Sequence, residues 1–507
     1  MGNHLFDAIR ARSPAPERLL METDDGRRIS YGAAFDSAAR IAATLVALGV
    51  EPGDRVAVQV EKSPEAILLY LACIRTGAVF LPLNTAYTTA ELDYFFTDAE
   101  PRLVIVDPAR AEAIEPLARK IGARLETLGA NGDGSLLAKA GTQTGEVAVA
   151  PRGTDDLAAI LYTSGTTGRS KGAMLTHGNL VSNALALVDA WRFTADDVLI
   201  HALPIFHTHG LFVATHVVLF SGGSMLFERK FDPKRIIAAL PRATALMGVP
   251  TFYVRLLQHP ELDRERARSI RLFVSGSAPL LAETHAAWRE RTGHAILERY
   301  GMTETNMNTS NPYDGKRRAG TVGFALPGTE VRITEPDGGR PLGPGEIGMI
   351  EVRGPNVFSG YWRMPEKTAA EFRPDGFFIT GDLGLIDADG YVQIVGRGKD
   401  LIIAGGYNIY PKEIESEIDA LPGVIESAVI GVPHPDLGEG VVAVVVRDGR
   451  NDVSAGAILG ALTERLARFK LPRHIDFVDE LPRNTMGKVQ KNVLRDRYRS
   501  VFADPAG

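Results

Sequence analysis

The chain is predicted to fold as a large α/β N-terminal domain, with several sheets flanked by helices, and a small α+β C-terminal domain on a hinge. Three observations predict this. Short runs rich in Val, Ile and Leu alternate with longer helical patterns as far as about residue 395, as strands buried beneath helices do. Glycines then interrupt a charged run, Gly396, Arg397, Gly398, Lys399 and Asp400, lying between two strand-like stretches. The length of 507 residues also exceeds the roughly 250–300 at which one hydrophobic core stops growing. The expected division is therefore residues 1–398 and 399–507.

In chain order, residues 157–162, 198–202, 245–249, 271–274 and 295–297 read as strands. Polar residues and prolines gather just past their ends, where open α/β sheets bind ligands. Residues 129–152 have little periodicity and read as a surface connection without chemistry. Beyond the hinge, Pro411 opens a helix with an apolar stripe at Ile414, Ile418 and Leu421. Strands are expected at 427–430 and 441–446, and a helix at 454–468.

Composition removes several functional classes. Hydrophobic residues make up 45% and charged residues 23%, the balance of a globular protein. The net charge of -6 provides no basic field for a nucleic-acid backbone or an anionic membrane. The only cysteine, Cys73, sits in an apolar run and reads as core, so neither a disulfide within the chain nor a cysteine metal cluster is expected. The N-terminus lacks the pattern of a signal or transit peptide, and the longest apolar runs are strand-length, so membrane insertion is not expected and the cytoplasm is the default compartment.

Five polar segments punctuate this frame. The loop Thr163, Ser164, Gly165, Thr166, Thr167, Gly168, Arg169, Ser170, Lys171 and Gly172 follows a strand pattern. Its glycines let backbone N–H groups converge while hydroxyls and Lys171 add donors, a combination that cradles phosphates. Walker spacing is absent, and such a loop alone is often a plain turn. The second segment, Glu298, Arg299, Tyr300, Gly301, Met302, Thr303 and Glu304, is expected to gather its polar groups into one turn, a helix cap by Thr303 being the plainer reading. The third is Thr380, Gly381 and Asp382, the fourth the hinge run, and the fifth Pro482 to Lys488, a proline- and glycine-bounded loop holding a lysine. Singly each reads as a turn. Independent turns rarely produce all five in this order.

In order and spacing these segments resemble the acyl-adenylate-forming superfamily of acyl-CoA synthetases, peptide-synthetase adenylation domains and beetle luciferases. One position departs: Ser170 stands where the family usually has proline. The resemblance implies an AMP-forming acid-thiol ligase with ATP, carried with Mg2+, and coenzyme A as co-substrates. It implies that Thr163 through Lys171 bind phosphate, and that Gly276, Ser277 and Ala278 lie along the adenine, with Glu298 and Gly301 also at the nucleotide. Tyr300 would stack on the base, Thr303 meet the α-phosphate, and Glu304 with Thr163 hold the magnesium. Asp382 and Arg397 would hold the ribose, Lys399 would be the hinge, Gly405 and Gly406 would line a pantetheine tunnel, and Lys488 would bridge carboxylate and α-phosphate. These roles suit the chemistry, because a carboxylate attacking a triphosphate brings two anions together and needs cations placed beforehand. Withdrawing Lys488 on a mobile domain would then open the space to a thiol. Acylating its amine would remove the charge the first half-reaction requires.

Arg299 carries the reading of the acid. A guanidinium before the Tyr-Gly pair, where related ligases for neutral acids commonly have an uncharged residue, needs an anionic partner; a second substrate carboxylate would satisfy its fork. Pairing with Glu298, or a helix cap, would satisfy it without any substrate. Residues 298–305, with Phe206, His207, Thr208, His209 and Gly210 and with Ser275 to Pro279, closely resemble the malonyl-CoA synthetases. That resemblance implies a small dicarboxylate held by Arg299 and Ser277, with His207 lining the pocket and Thr208 and Met307 limiting substituents. His207 and His209 lack a third ligand at convincing spacing for zinc. Malonate against methylmalonate, another small acid, a carrier-protein thiol as acceptor, and a nucleotide-binding module without turnover all remain open from residues alone.

Overall fold

The computed structural model describes residues 2–163, 170–336, 338–404, 407–449, 453–484 and 487–503. Four sheets organise it. In a seven-stranded sheet, the strands Leu157–Thr163, Val79–Pro82, Arg55–Gln59, Leu103–Val106 and Arg124–Thr127 run parallel, and Lys171–Thr176 and Gly360–Tyr361 add antiparallel strands at one edge. In a nine-stranded sheet, Leu297–Met302, Leu272–Ser275, Ala245–Gly248, Val198–His201, Ser224–Phe227 and Leu19–Thr23 are parallel. A four-stranded antiparallel sheet spans Glu330–Thr334 to Val392–Arg397, and strands from Ile402 onward form the fourth sheet beside the helices of the small C-terminal domain.

Parallel strands need helices on both faces, which is why their sequences are continuously apolar rather than alternating. The helix Pro64–Thr76 shows how local signals fix such an element. Ser63 accepts from the Ala66 N–H, Pro64 occupies the first turn, and Gly77 ends the helix at φ 70°, a left-handed conformation that glycine adopts without strain. All of it but Arg75 is buried, Cys73 included, and burial pushes the Cys73 thiol up, as befits a core residue.

Four expectations need correction. The strand expected at 295–297 begins only at Leu297, because ladder pairing starts with Leu297 opposite Val274; it then runs to Met302. Glu298, Arg299 and Tyr300 therefore stand on a strand that turns back through residues 303–305 into Asn306–Ser310, and Thr303 caps no helix. The helix expected at 454–468 stops at Thr463, and Leu466 and Leu471 beyond it pack against the core of the small domain. The connection at 129–152 includes a short helix, Ser135–Ala140, that buries Leu136. Among the described residues no helix is long and apolar enough to cross a membrane.

Candidate active site

The ends of Val198–His201, Ala245–Gly248, Leu272–Ser275 and Leu297–Met302 converge on one side of the large sheet. A π-helical turn, His209–Ala214, follows the first of these, and such turns recur at functional sites. Gly276 follows the third and packs against the Arg299 guanidinium, where a Cβ would collide with it.

Arg299 is 3% exposed, and among the described residues its Nε and Nη2 have no hydrogen-bond partner. Burial pushes its pKa down to about 9. Glu298 does not pair with it, since successive strand residues point to opposite faces. Glu298 instead accepts from the Gly320 N–H at 3.2 Å, and burial pushes its carboxyl up to about 8. The Arg299 charge acts on both His207 and His209. The His209 N–H donates to His207 Nδ1 at 3.2 Å, which leaves the ring proton on Nε2. Burial, then Lys488 and Arg299, push His207 down to about 3, so it stays neutral. His209 Nδ1 lies 3.2 Å from the Ser277 hydroxyl, and Ser277 sits at φ 72°. His209 Nε2 and Thr208 Oγ1 are buried without a partner among the described residues, and Met307 is buried on the facing strand.

A second group of polar side chains adjoins this one. Tyr300 packs its ring against Ile333, Ile350 and Val352 and donates its hydroxyl to Asp382. Asp382 and Arg397 are cross-strand partners with Nε and Oδ1 2.8 Å apart, and Asp382 holds the Arg397 pKa up. Lys488 belongs to a tight loop in which its N–H donates to Asn484 Oδ1 at 3.0 Å. Burial of the ammonium lowers its pKa, followed in effect by Arg397, while Asp382 and Glu304 oppose the shift; the residue as a whole is exposed. A Cβ added at Gly487, beside it, would lie 3.8 Å from the Thr251 side chain.

Glu304 is buried, and burial raises its pKa. The Tyr361 hydroxyl lies 3.0 Å from Glu304 Oε1 and 2.6 Å from Glu371 Oε2. Lys171 lies 3.1 Å from Glu371 Oε1 and 4.0 Å over the Tyr361 ring. Thr163 ends its strand opposite Lys171, and Thr303 lies in the turn before Glu304. Gly301 backs onto the returning strand, where the Asn306 carbonyl leaves no space for a side chain. Ala278 continues the loop after Ser277, and Lys399 sits in the one-turn helix Gly398–Asp400, whose Asp400 pairs with Arg495. Ser164, Gly165, Thr166, Thr167 and Gly168, and likewise Gly405 and Gly406, lie outside the described residues. Tyr361 and Glu371 were not singled out from the sequence. Among the described residues no group of three or more His, Cys, Asp or Glu is placed to hold a metal ion unaided.

A family model described as AMP-binding enzyme matches residues 8–362, and the AMP-binding enzyme C-terminal domain matches residues 413–488. The chain belongs to the AMP-binding enzyme family. This AMP-binding enzyme is an acyl-CoA synthetase, with ATP and coenzyme A as substrates. It is similar to the ATP-bound MatB of Rhodopseudomonas palustris, with a TM-score of 0.97, 63% identity and coverage of 99% of this chain and 100% of that one. To the apo form of that protein the TM-score is 0.87, with 63% identity and the same coverage. Among curated relatives it is 38% identical to a feruloyl-CoA synthase of Amycolatopsis sp., over 93% of this chain and 94% of that protein. It is 34% identical to a malonate--CoA ligase of Arabidopsis thaliana, over 97% and 90%.

Proposed function

We propose that the acid is malonate: ATP, malonate and coenzyme A give malonyl-CoA, AMP and diphosphate through a malonyl-adenylate. The observation that carries this reading is the buried Arg299 guanidinium with two donors unpartnered among the described residues. A buried charge without a partner costs about 3–5 kcal/mol, which a second substrate carboxylate would relieve and a monoacid would not. The difference amounts to roughly a hundredfold or more in specificity. The similarity to MatB and to a malonate--CoA ligase supports the reading, whereas the feruloyl-CoA synthase shows that relatives differ in acid.

In this reading Arg299 and Ser277 hold the distal carboxylate, His207 lines the pocket, and Thr208 and Met307 bound the central carbon. Thr163 to Lys171 take the phosphates; Gly276, Ser277, Ala278 and Tyr300 take the adenine, with Glu298 and Gly301 also at the nucleotide; Asp382 and Arg397 take the ribose. Thr303 contacts the α-phosphate, and Lys488 bridges it to the attacking carboxylate. A single buried carboxylate, Glu304, with the Thr163 hydroxyl suits magnesium, which binds through one or two carboxylates plus substrate phosphates. The ion would supply charge stabilisation at the phosphates. The division falls between residues 398 and 399, Lys399 being the hinge, and Gly405 and Gly406 line the thiol path.

The test is diphosphate release with ATP, magnesium and coenzyme A across acetate, propionate, malonate, methylmalonate and succinate, for the unmodified enzyme and for Arg299→Ala. Malonate is expected to lead, and the substitution to remove that lead selectively. A monoacid leading in the unmodified enzyme would overturn the assignment of the acid.

A further inference from the structure

We propose that Glu371 is a positioning residue for the phosphate half of the reaction: it holds the Lys171 ammonium between turnovers and yields it to the ATP polyphosphate, while Lys367 keeps the carboxylate paired. The proposal rests on the phosphate-binding role assigned to Lys171.

Backbone pairing sets the geometry. The edge strand Gly360–Tyr361 runs antiparallel to Lys171–Thr176 with Tyr361 opposite Ala173, so Tyr361 and Lys171 are diagonal neighbours on one face. The ammonium of Lys171 lies 4.0 Å over the Tyr361 ring and 3.1 Å from Glu371 Oε1. Lys367, one helical turn before Glu371, reaches the same oxygen at 2.8 Å. The other oxygen, Oε2, accepts from the Tyr361 hydroxyl at 2.6 Å. Among the described residues Glu371 thus has three partners, and two of them remain when Lys171 leaves. The departure therefore strands no carboxylate.

The exchange has a direction. Lys171 and Glu371 keep 20% and 19% side-chain exposure, so the pair is partly open to water. A triphosphate offers several charged acceptors to the same ammonium, so ATP takes the lysine and diphosphate departure returns it. Lys367 tunes the contest, because the better it neutralises Glu371, the less the carboxylate competes for Lys171.

The two partners should then act on KM for ATP in opposite directions, which a merely structural role of this helix end would not produce. In Glu371→Gln the competing anion is gone: KM for ATP should fall about two- to fivefold and diphosphate release should slow. In Lys367→Met the carboxylate leans harder on Lys171: KM for ATP should rise by about the same factor. KM for the acid should hold in both. Shifts in the same direction, or none, would overturn the proposal. Lys171→Met separates the two readings. If it raises KM for ATP while the other variants fail to oppose each other, only the role of Glu371 is lost. If it leaves KM for ATP unmoved, the phosphate role of Lys171 falls and this proposal with it.

Discussion

Glu298 and Arg299, adjacent in the chain, stand on opposite faces of the strand Leu297–Met302 and give each other no partner. Among the described residues the carboxyl accepts the Gly320 N–H, and the guanidinium keeps Nε and Nη2 unbonded. Two ionisable groups that would neutralise one another in a turn are thus both left in poor surroundings for their charge. The pKa of each moves accordingly, Glu298 up to about 8 and Arg299 down to about 9.

Glu298 makes the stability of the substrate-free enzyme depend on pH. Its folded-state pKa is raised above the ordinary glutamate value of 4.5 to about 8, so its contribution is fully present below the unfolded value and is lost as pH rises through the folded one. Within that window the loss approaches about 1.4 kcal/mol per pH unit. Glu298→Gln, neutral throughout, should flatten this slope. Denaturant midpoints at about pH 6 and about pH 8 should diverge between the two proteins, and parallel curves would refute the linkage.

Gly276 sets the position of the guanidinium. A Cβ there would overlap Arg299 itself, and the long side chain, not the backbone, would have to give way. Gly276→Ala should therefore raise KM for malonate about tenfold or more, while KM for a monoacid such as propionate changes little. Equal losses for both acids would place the clash on the nucleotide rather than on the second carboxylate.

The parallel strands singled out in the sequence were legible because buried parallel strands must be continuously apolar, as Ala245–Gly248 is. The polar segments at their ends were legible for the same topological reason. What escaped was decided by pairing. Tyr361 and Glu371 reach Lys171 and Glu304 only through the edge strand Gly360–Tyr361, and Lys171 and Glu371 are 200 positions apart. The state of Arg299 escaped because it depends on which face of a strand each neighbour takes. The end of the helix at Thr463 escaped because Leu466 and Leu471 are placed by the tertiary core, not by helical period.

Lys488 offers a way to split the reaction. The residue as a whole is exposed, but its amine is crowded by protein and feels the charges of Arg397, Asp382, Glu304 and Arg299. Acylation of the amine would cancel its charge. On the role proposed for Lys488, the first half-reaction joins two anions and needs that charge, and the second, in which a thiol attacks the adenylate, does not. Enzyme acetylated at Lys488 should accordingly lose acid-dependent diphosphate release by about a hundredfold or more, the scale set by removing a preorganised cationic or hydrogen-bonding group. Supplied with preformed malonyl-adenylate, the same enzyme should still make malonyl-CoA at a rate close to that of the unmodified protein. Normal diphosphate release by the acetylated enzyme would remove Lys488 from the adenylation step. Equal loss of both halves would show instead that the modification blocks the movement of the small domain.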